Sequence, residues 1–409
     1  MLVALGTVTW LVVVPDEPTD PDDEPYAAAV PTDGTARVDA GAAALALQRL
    51  ARAVEDGDRA AAEALADPAD ADAATRLGEV VDTAVAARVV DVTMRYVDEE
   101  GAPADDGTWA AAVDVGWRYA GFDRASATTE VQVRFAPSGR AGTPALVAGL
   151  GGGSLRTPVW LSGPTDVVRT RDLLVVVADP GAATETYRRL AARAVPEVAS
   201  VVTTWRPRLV VEVPADGAAL ERALDAEEGS YGQIAAVAGT ADGSVAAGSP
   251  VHVFVNPDVF DTLGPVGRQV VLTHEATHVA TDAPLSQAPT WLVEGFADYV
   301  ALRDVDLSLR ETAGQVAGQV RADGLPTALP GTAEFDTRGP HLGAVYEAAW
   351  LVCVTLAERR DGEALERLYT RVSDGADLEQ ALADGFGWSV ADLVRAWRAR
   401  LAGLPGAAA

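Results

Sequence analysis

Apolar side chains recur at helical spacing early in the chain, first as Leu45, Leu47, Leu50 and Val54 and again as Leu77, Val80, Val81 and Val85. On a 3.6-residue helix such positions share one face, so the pattern predicts two or three amphipathic helices. The period then shortens to two. Residues 89–97, 108–120 and 127–135 alternate, most plainly where Val131, Val133 and Phe135 interleave with Gln132 and Arg134, which predicts strands with one buried face. A Gly-rich turn at 149–153 precedes two shorter strands expected at 166–170 and 173–178. Helices followed by a long antiparallel meander make residues 40–178 an α+β unit.

Beyond residue 179 the pattern becomes mainly helical. A helix is expected at 184–201, a strand at 208–213 stopped by Pro214, a helix at 217–225 and a strand at 251–255 halted by Asn256-Pro257. A nearly unbroken apolar run surrounds residues 270–280, which predicts a buried helix. Pro284 and Pro289 force a turn, after which Thr290 is expected to cap a helix over 291–299. Three helices follow from Glu363, the last opened by Ser389 with Asp392 three residues on, a capping-box spacing. Leu382, Phe386, Trp388, Leu393 and Trp397 are expected to close the core. The second unit therefore spans 179–402, a helical domain with a small sheet at its start, and 403–409 is a tail.

Composition refines this picture at the N-terminus and the surface. A chain of 409 residues exceeds one ordinary core, and 49% hydrophobic with 22% charged residues describes a globular protein. Residues 2–14 carry no charge, a length that suits a signal or anchor segment, and the acidic, proline-rich stretch 15–39 reads as a solvated linker. The expected location is therefore outside the cytoplasm, anchored to the membrane through residues 2–14 or secreted. A net charge of −28 repels phosphate backbones, which excludes nucleic acid as a natural partner. The single Cys353 allows no internal disulfide.

The candidate chemistry lies within the buried helix. Four histidines occur in the chain, none of them before residue 252, and two stand four apart in His274-Glu275-Ala276-Thr277-His278. Positions i and i+4 share a helix face, so both imidazoles can address one metal ion, while Glu275, roughly 100° further round, can take a proton from water at that site. Neutral imidazole suits zinc, and a buried helix that holds two imidazoles and a carboxylate needs a partner for them. If the next helix packs back antiparallel, Glu294 returns toward His274 and His278 and completes a set of two His and one Glu that leaves a position open. Asp298, one turn beyond Glu294, can accept the remaining ring N–H of a ligand histidine. Either 234–238 or 251–255 can serve as an edge strand near the site, and His252 is expected to be a strand residue facing outward.

The combination of His274-Glu275-x-x-His278 with Trp291-Leu292-x-Glu294-Gly295 and Asp298 resembles the gluzincin metallopeptidases, the clan of thermolysin and the zinc aminopeptidases. Within that clan it is most similar to compact bacterial proteins called peptidase MA-like. The resemblance implies a zinc-dependent peptidase of the bacterial cell envelope acting on peptides or proteins. In it His274, His278 and Glu294 hold Zn2+, Glu275 is the general base, and Asp298 orients a ligand. It further implies that Tyr346 donates to the oxyanion, with His341 as the alternative. The aminopeptidase stretch G-x-M-E-N is missing, which favours internal cleavage over exopeptidase action. The competing expectation is a catalytically inactive zinc-binding module for interactions at the cell surface. The order of elements in 40–178 resembles the cone-like fold of nuclear transport factor 2, and the absence of histidine there points to a binding, spacing or regulatory role for that unit.

Overall fold

A computed structural model describes residues 38–407, apart from 141, 180, 182, 183 and 337–340. The apolar segment 2–14, nearly all of the acidic linker and the last two residues of the tail lie outside the described residues. Among the described residues no helix is long and apolar enough to cross a membrane.

Three helices open the chain, α1 (Ala40–Asp56), α2 (Arg59–Glu63) and α3 (Ala73–Ala87). Asp39 and Asp58 start the first two by accepting the Ala42 and Ala61 amides, and Gly57 ends α1 at φ 67°, a left-handed conformation that any Cβ would strain. Leu47, Leu50, Val54, Leu77, Val80 and Val81 are buried as their spacing requires. Val85 differs: it lies beside the Gly57 turn at the rim of the helices and stays 56% exposed. Strands β1 (Val89–Glu100), β2 (Trp109–Tyr119), β3 (Ala127–Ala136) and β4 (Leu146–Leu150) then form an antiparallel sheet in chain order. Alternate residues of β2, from Trp109 through Val113 to Tyr119, point into the core beneath the helices.

A second sheet has the spatial order β5-β6-β7-β9-β8. It comprises β5 (Asp166–Arg169), β6 (Leu173–Val177), β7 (Leu209–Val213), β8 (Ala236–Thr240) and β9 (Val251–Val255), with α4 (Thr184–Ala199) crossing between β6 and β7 and α5 (Gly217–Leu224) following β7. The pairs β6–β7 and β7–β9 are parallel, whereas β5 and β8 run antiparallel to their neighbours. β5 and β6, expected after the first meander, join the second sheet instead of extending the first. The reason is physical: β6 reads Leu-Leu-Val-Val-Val, with no alternation, as a strand buried on both faces must. Leu173, Val175 and Val177 face the helical layer, while Leu174 and Val176 face the first unit.

The first unit therefore covers one face of the second sheet. Its core runs from Trp117, Tyr119 and Trp160 into Leu174, Val176, Val210 and Phe254 without a break. The opposite face packs against α4 and α7 (Pro265–Ala280), and the helices α6 (Pro257–Phe260), α8 (Thr290–Leu302), α9 (Leu309–Thr312), α10 (Gly314–Asp323), α11 (Leu342–Arg359), α12 (Gly362–Ser373), α13 (Leu378–Phe386) and α14 (Val390–Ala402) complete the C-terminal part around them. The capping box of Ser389 and Asp392 forms at the start of α14 as expected. Thr290 does not cap α8: extended Pro289 takes that place, and the Thr290 hydroxyl bonds that of Thr332. The fold is α+β, with N-terminal helices on an antiparallel sheet followed by a mainly helical part.

Candidate metal centre

Residues 269–279 of α7 are buried throughout, and Pro265 in the first turn starts the helix at no cost in hydrogen bonds. From α7 the chain turns through Asp282, held at φ 47°, and a 3-10 turn at Ala283–Leu285 before α8 begins. Gly295 sets the depth of α8. A Cβ there would stand 2.3 Å from the Ala349 carbonyl oxygen and 3.0 Å from Cys353 Sγ on α11, so only glycine lets the two helices approach this closely. Glu294, its neighbour, is thereby carried against α7.

The side chains of His274, His278 and Glu294 meet at one point. His274 Nε2 and His278 Nε2 are 2.9 Å apart, and Glu294 Oε2 lies 3.3 Å from the first and 3.5 Å from the second. Ligand atoms at 2.0–2.1 Å in a tetrahedral set stand about 3.3 Å from one another, so the three spacings bracket the separation such a set needs. Exposure of the three residues is 0–2%. Asp298 Oδ1 accepts a hydrogen bond of 2.8 Å from His274 Nδ1, which leaves the lone pair of Nε2 free to face the centre. Glu294 Oε2 and Glu275 Oε1 are buried without a hydrogen-bond partner. Burial opposes ionisation of Glu294, but the two imidazoles outweigh it and hold its carboxyl down at about 2. A bound cation would satisfy the unpaired carboxylate oxygens of Glu275 and Glu294 in this dry site. The group can hold a metal ion.

Glu275 stands apart from that set. Burial pushes its carboxyl up to about 7, Oε1 is unpaired, and Oε2 accepts the Ala238 amide at 2.8 Å. Ala238 belongs to β8, the edge of the sheet, whereas β9 is internal; of the two candidate edge strands it is the earlier one that borders the site. Asn256 N–H donates to Ala235 O and Ala241 N–H to Pro250 O, so residues of that parity face β9 and the backbone groups of Ala236, Ala238 and Thr240 point away from the sheet. Nothing in residue type signals the Ala238 amide, because any residue but proline supplies one.

Tyr346 is buried on α11 with its ring 6.4 Å from that of His274 and edge-on to Phe335. His341, the alternative donor, is exposed at the start of α11. His252 requires a correction, since it is 1% exposed instead of facing outward. Alternation along β9 puts it on the face of Phe254, which the first unit covers. Its Nδ1 lies 2.7 Å from Glu212 Oε1 and its Nε2 2.9 Å from Asp123 Oδ1. Burial alone would depress its pKa, but Asp123 and Glu212 raise it to about 10. The imidazole is thus a buried cation joining the first unit to the sheet, remote in role from the metal group. Compared with known proteins, the chain matches no family model, and no curated protein is significantly similar to it.

Proposed function

We propose that the chain is a zinc-dependent peptidase that hydrolyses internal bonds of peptides or proteins. The observation that carries this reading is the division of labour among buried carboxylates. Glu294 joins two imidazoles as a ligand set, Asp298 orients one imidazole, and Glu275 keeps a free oxygen beside them. A zinc ion held by His274, His278 and Glu294 supplies Lewis acidity, which lowers the pKa of water toward about 7 and polarises a carbonyl.

The chain's own groups do the rest. Glu275 Oε1 accepts a proton from water as its oxygen adds to the peptide carbonyl carbon, and returns it to the amine nitrogen as the C–N bond breaks. The Ala238 amide on Oε2 keeps that carboxylate aimed. Tyr346, beside His274, donates its hydroxyl hydrogen to the developing oxyanion. In a peptide-library digest, Glu275→Gln is expected to lower cleavage by at least about 100-fold relative to wild type at unchanged zinc content. Equal cleavage by the two proteins would defeat this reading, and absence of cleavage from both, with zinc bound, would favour an inactive zinc-binding module.

A further inference from the structure

Tyr346 reaches the metal group from α11, and the way α11 is gripped by its neighbours decides where that hydroxyl lies. In the middle of α11, α8 meets the Ala349 backbone at Gly295, and Trp397 Nε1 of α14 donates to the Ala348 carbonyl at 3.1 Å. One residue earlier the tie is to α10, through Glu347. This carboxylate is 5% exposed; its Oε2 accepts the Val316 amide at 2.8 Å and its Oε1 the Gln315 side-chain amide at 3.4 Å. Both donors belong to the first turn of α10, whose N-cap residue Ala313 has no side chain able to accept them.

Burial opposes a charge at this place and pushes the Glu347 carboxyl up to about 7, a rise to which the nearby Asp298 adds. Packing alone would be served better by Leu or Met, whereas a carboxylate facing the positive end of α10 supplies the acceptor that its first turn lacks. Gly343 stands one turn before Glu347 on the same face of α11, and a Cβ there would lie 2.3 Å from Gln315 Nε2, so the two helices cross closely. Tyr346 is turned roughly 100° from Glu347 around α11. Its ring is 6.4 Å from that of His274 and 5.3 Å from that of Phe335. A slip or rotation of this turn therefore moves both side chains together.

Resting on the peptidase reading, we infer that Glu347 is a positioning residue: by binding the first turn of α10 it fixes the turn of α11 that presents the Tyr346 hydroxyl to the oxyanion. The test uses the full zinc-loaded chain with Glu347→Leu, which removes both acceptors, Glu347→Gln, which keeps one, and Tyr346→Phe. Loss of one oxyanion donor lowers kcat by about 100-fold, so that is the effect expected of Tyr346→Phe. Glu347→Leu should lower kcat by at least about tenfold at unchanged KM, and Glu347→Gln should recover part of that loss. Combined with Tyr346→Phe, Glu347→Leu should subtract no more than about a further twofold, because the group it positions is already gone. Competitive titration should give one zinc affinity for all variants, and the Val316 amide should exchange its hydrogen faster in Glu347→Leu. Losses that multiply in the double variant, an unchanged kcat, or unchanged Val316 exchange would overturn the inference and leave the peptidase reading standing. Weakened zinc binding would overturn it too, by placing the effect of Glu347 in Asp298 and His274. Should Glu347→Leu fail to fold, Glu347→Gln with and without Tyr346→Phe makes the same comparison. A wild type no more active than Glu275→Gln overturns both readings.

Discussion

His252 and Glu275 show how differently two buried titratable residues can be used. Glu275 divides its carboxylate, with one oxygen held by a backbone amide and the other unpaired, an arrangement that suits the proton transfer proposed for it. His252 has both ring nitrogens engaged by carboxylates and nothing left over for chemistry. Its contribution is to stability, and pH should reveal it. Because Asp123 and Glu212 raise the folded pKa to about 10 from 6.5, the stabilisation is complete below about pH 6.5 and is lost as pH climbs through about 10. His252→Gln should therefore cost about 3 kcal/mol near pH 7, since it leaves two buried carboxylates uncompensated, and the gap to wild type should narrow by pH 10 in urea titrations. A gap independent of pH would refute the assignment. The motif residues were legible because their spacing is local to one helix. The partners of His252 stand 40 and 129 positions away, and no local pattern could announce them.

Between elements, the contact that matters most for the site is α8 against α11 at Gly295. The sequence pattern drew attention to Glu294 and Gly295 together, and the coordinates give the glycine a steric cause in the Ala349 carbonyl 2.3 Å from where a Cβ would sit. Gly295→Ala should push the helices apart, lowering the stability of metal-free protein by about 1–3 kcal/mol and weakening zinc binding as Glu294 retreats from α7. Denaturant titration of chelated protein and a competitive zinc titration measure the two effects; unchanged values in both would show that the spacing is slack. Helices and the strands of the first meander were readable because each announces its own period. What could not be read was strand partnership: β6 is a short apolar run whose neighbour β7 lies beyond a full crossover helix, and only the assembled sheet reveals the pair.

At the level of the whole molecule, the chain is two apolar layers laid against one sheet. Leu174, Val176, Val210 and Phe254 are core residues of the first unit as much as of the sheet that supports the metal group. Removing the first unit would strip one face of that sheet. Phe254→Ala should destabilise the protein by about 3–5 kcal/mol and shift a single transition seen alike by tryptophan fluorescence and far-UV circular dichroism. Two separable transitions, only one of them displaced, would contradict a shared core. All of this arrangement serves to hold His274, His278 and Glu294 around one point, and the most direct test is to count the metal. Native mass spectrometry with elemental analysis should find one zinc per wild-type chain, retained in Glu275→Gln and lost in His278→Ala and Glu294→Ala. A wild-type protein without stoichiometric zinc, or ligand variants that keep it, would contradict the account.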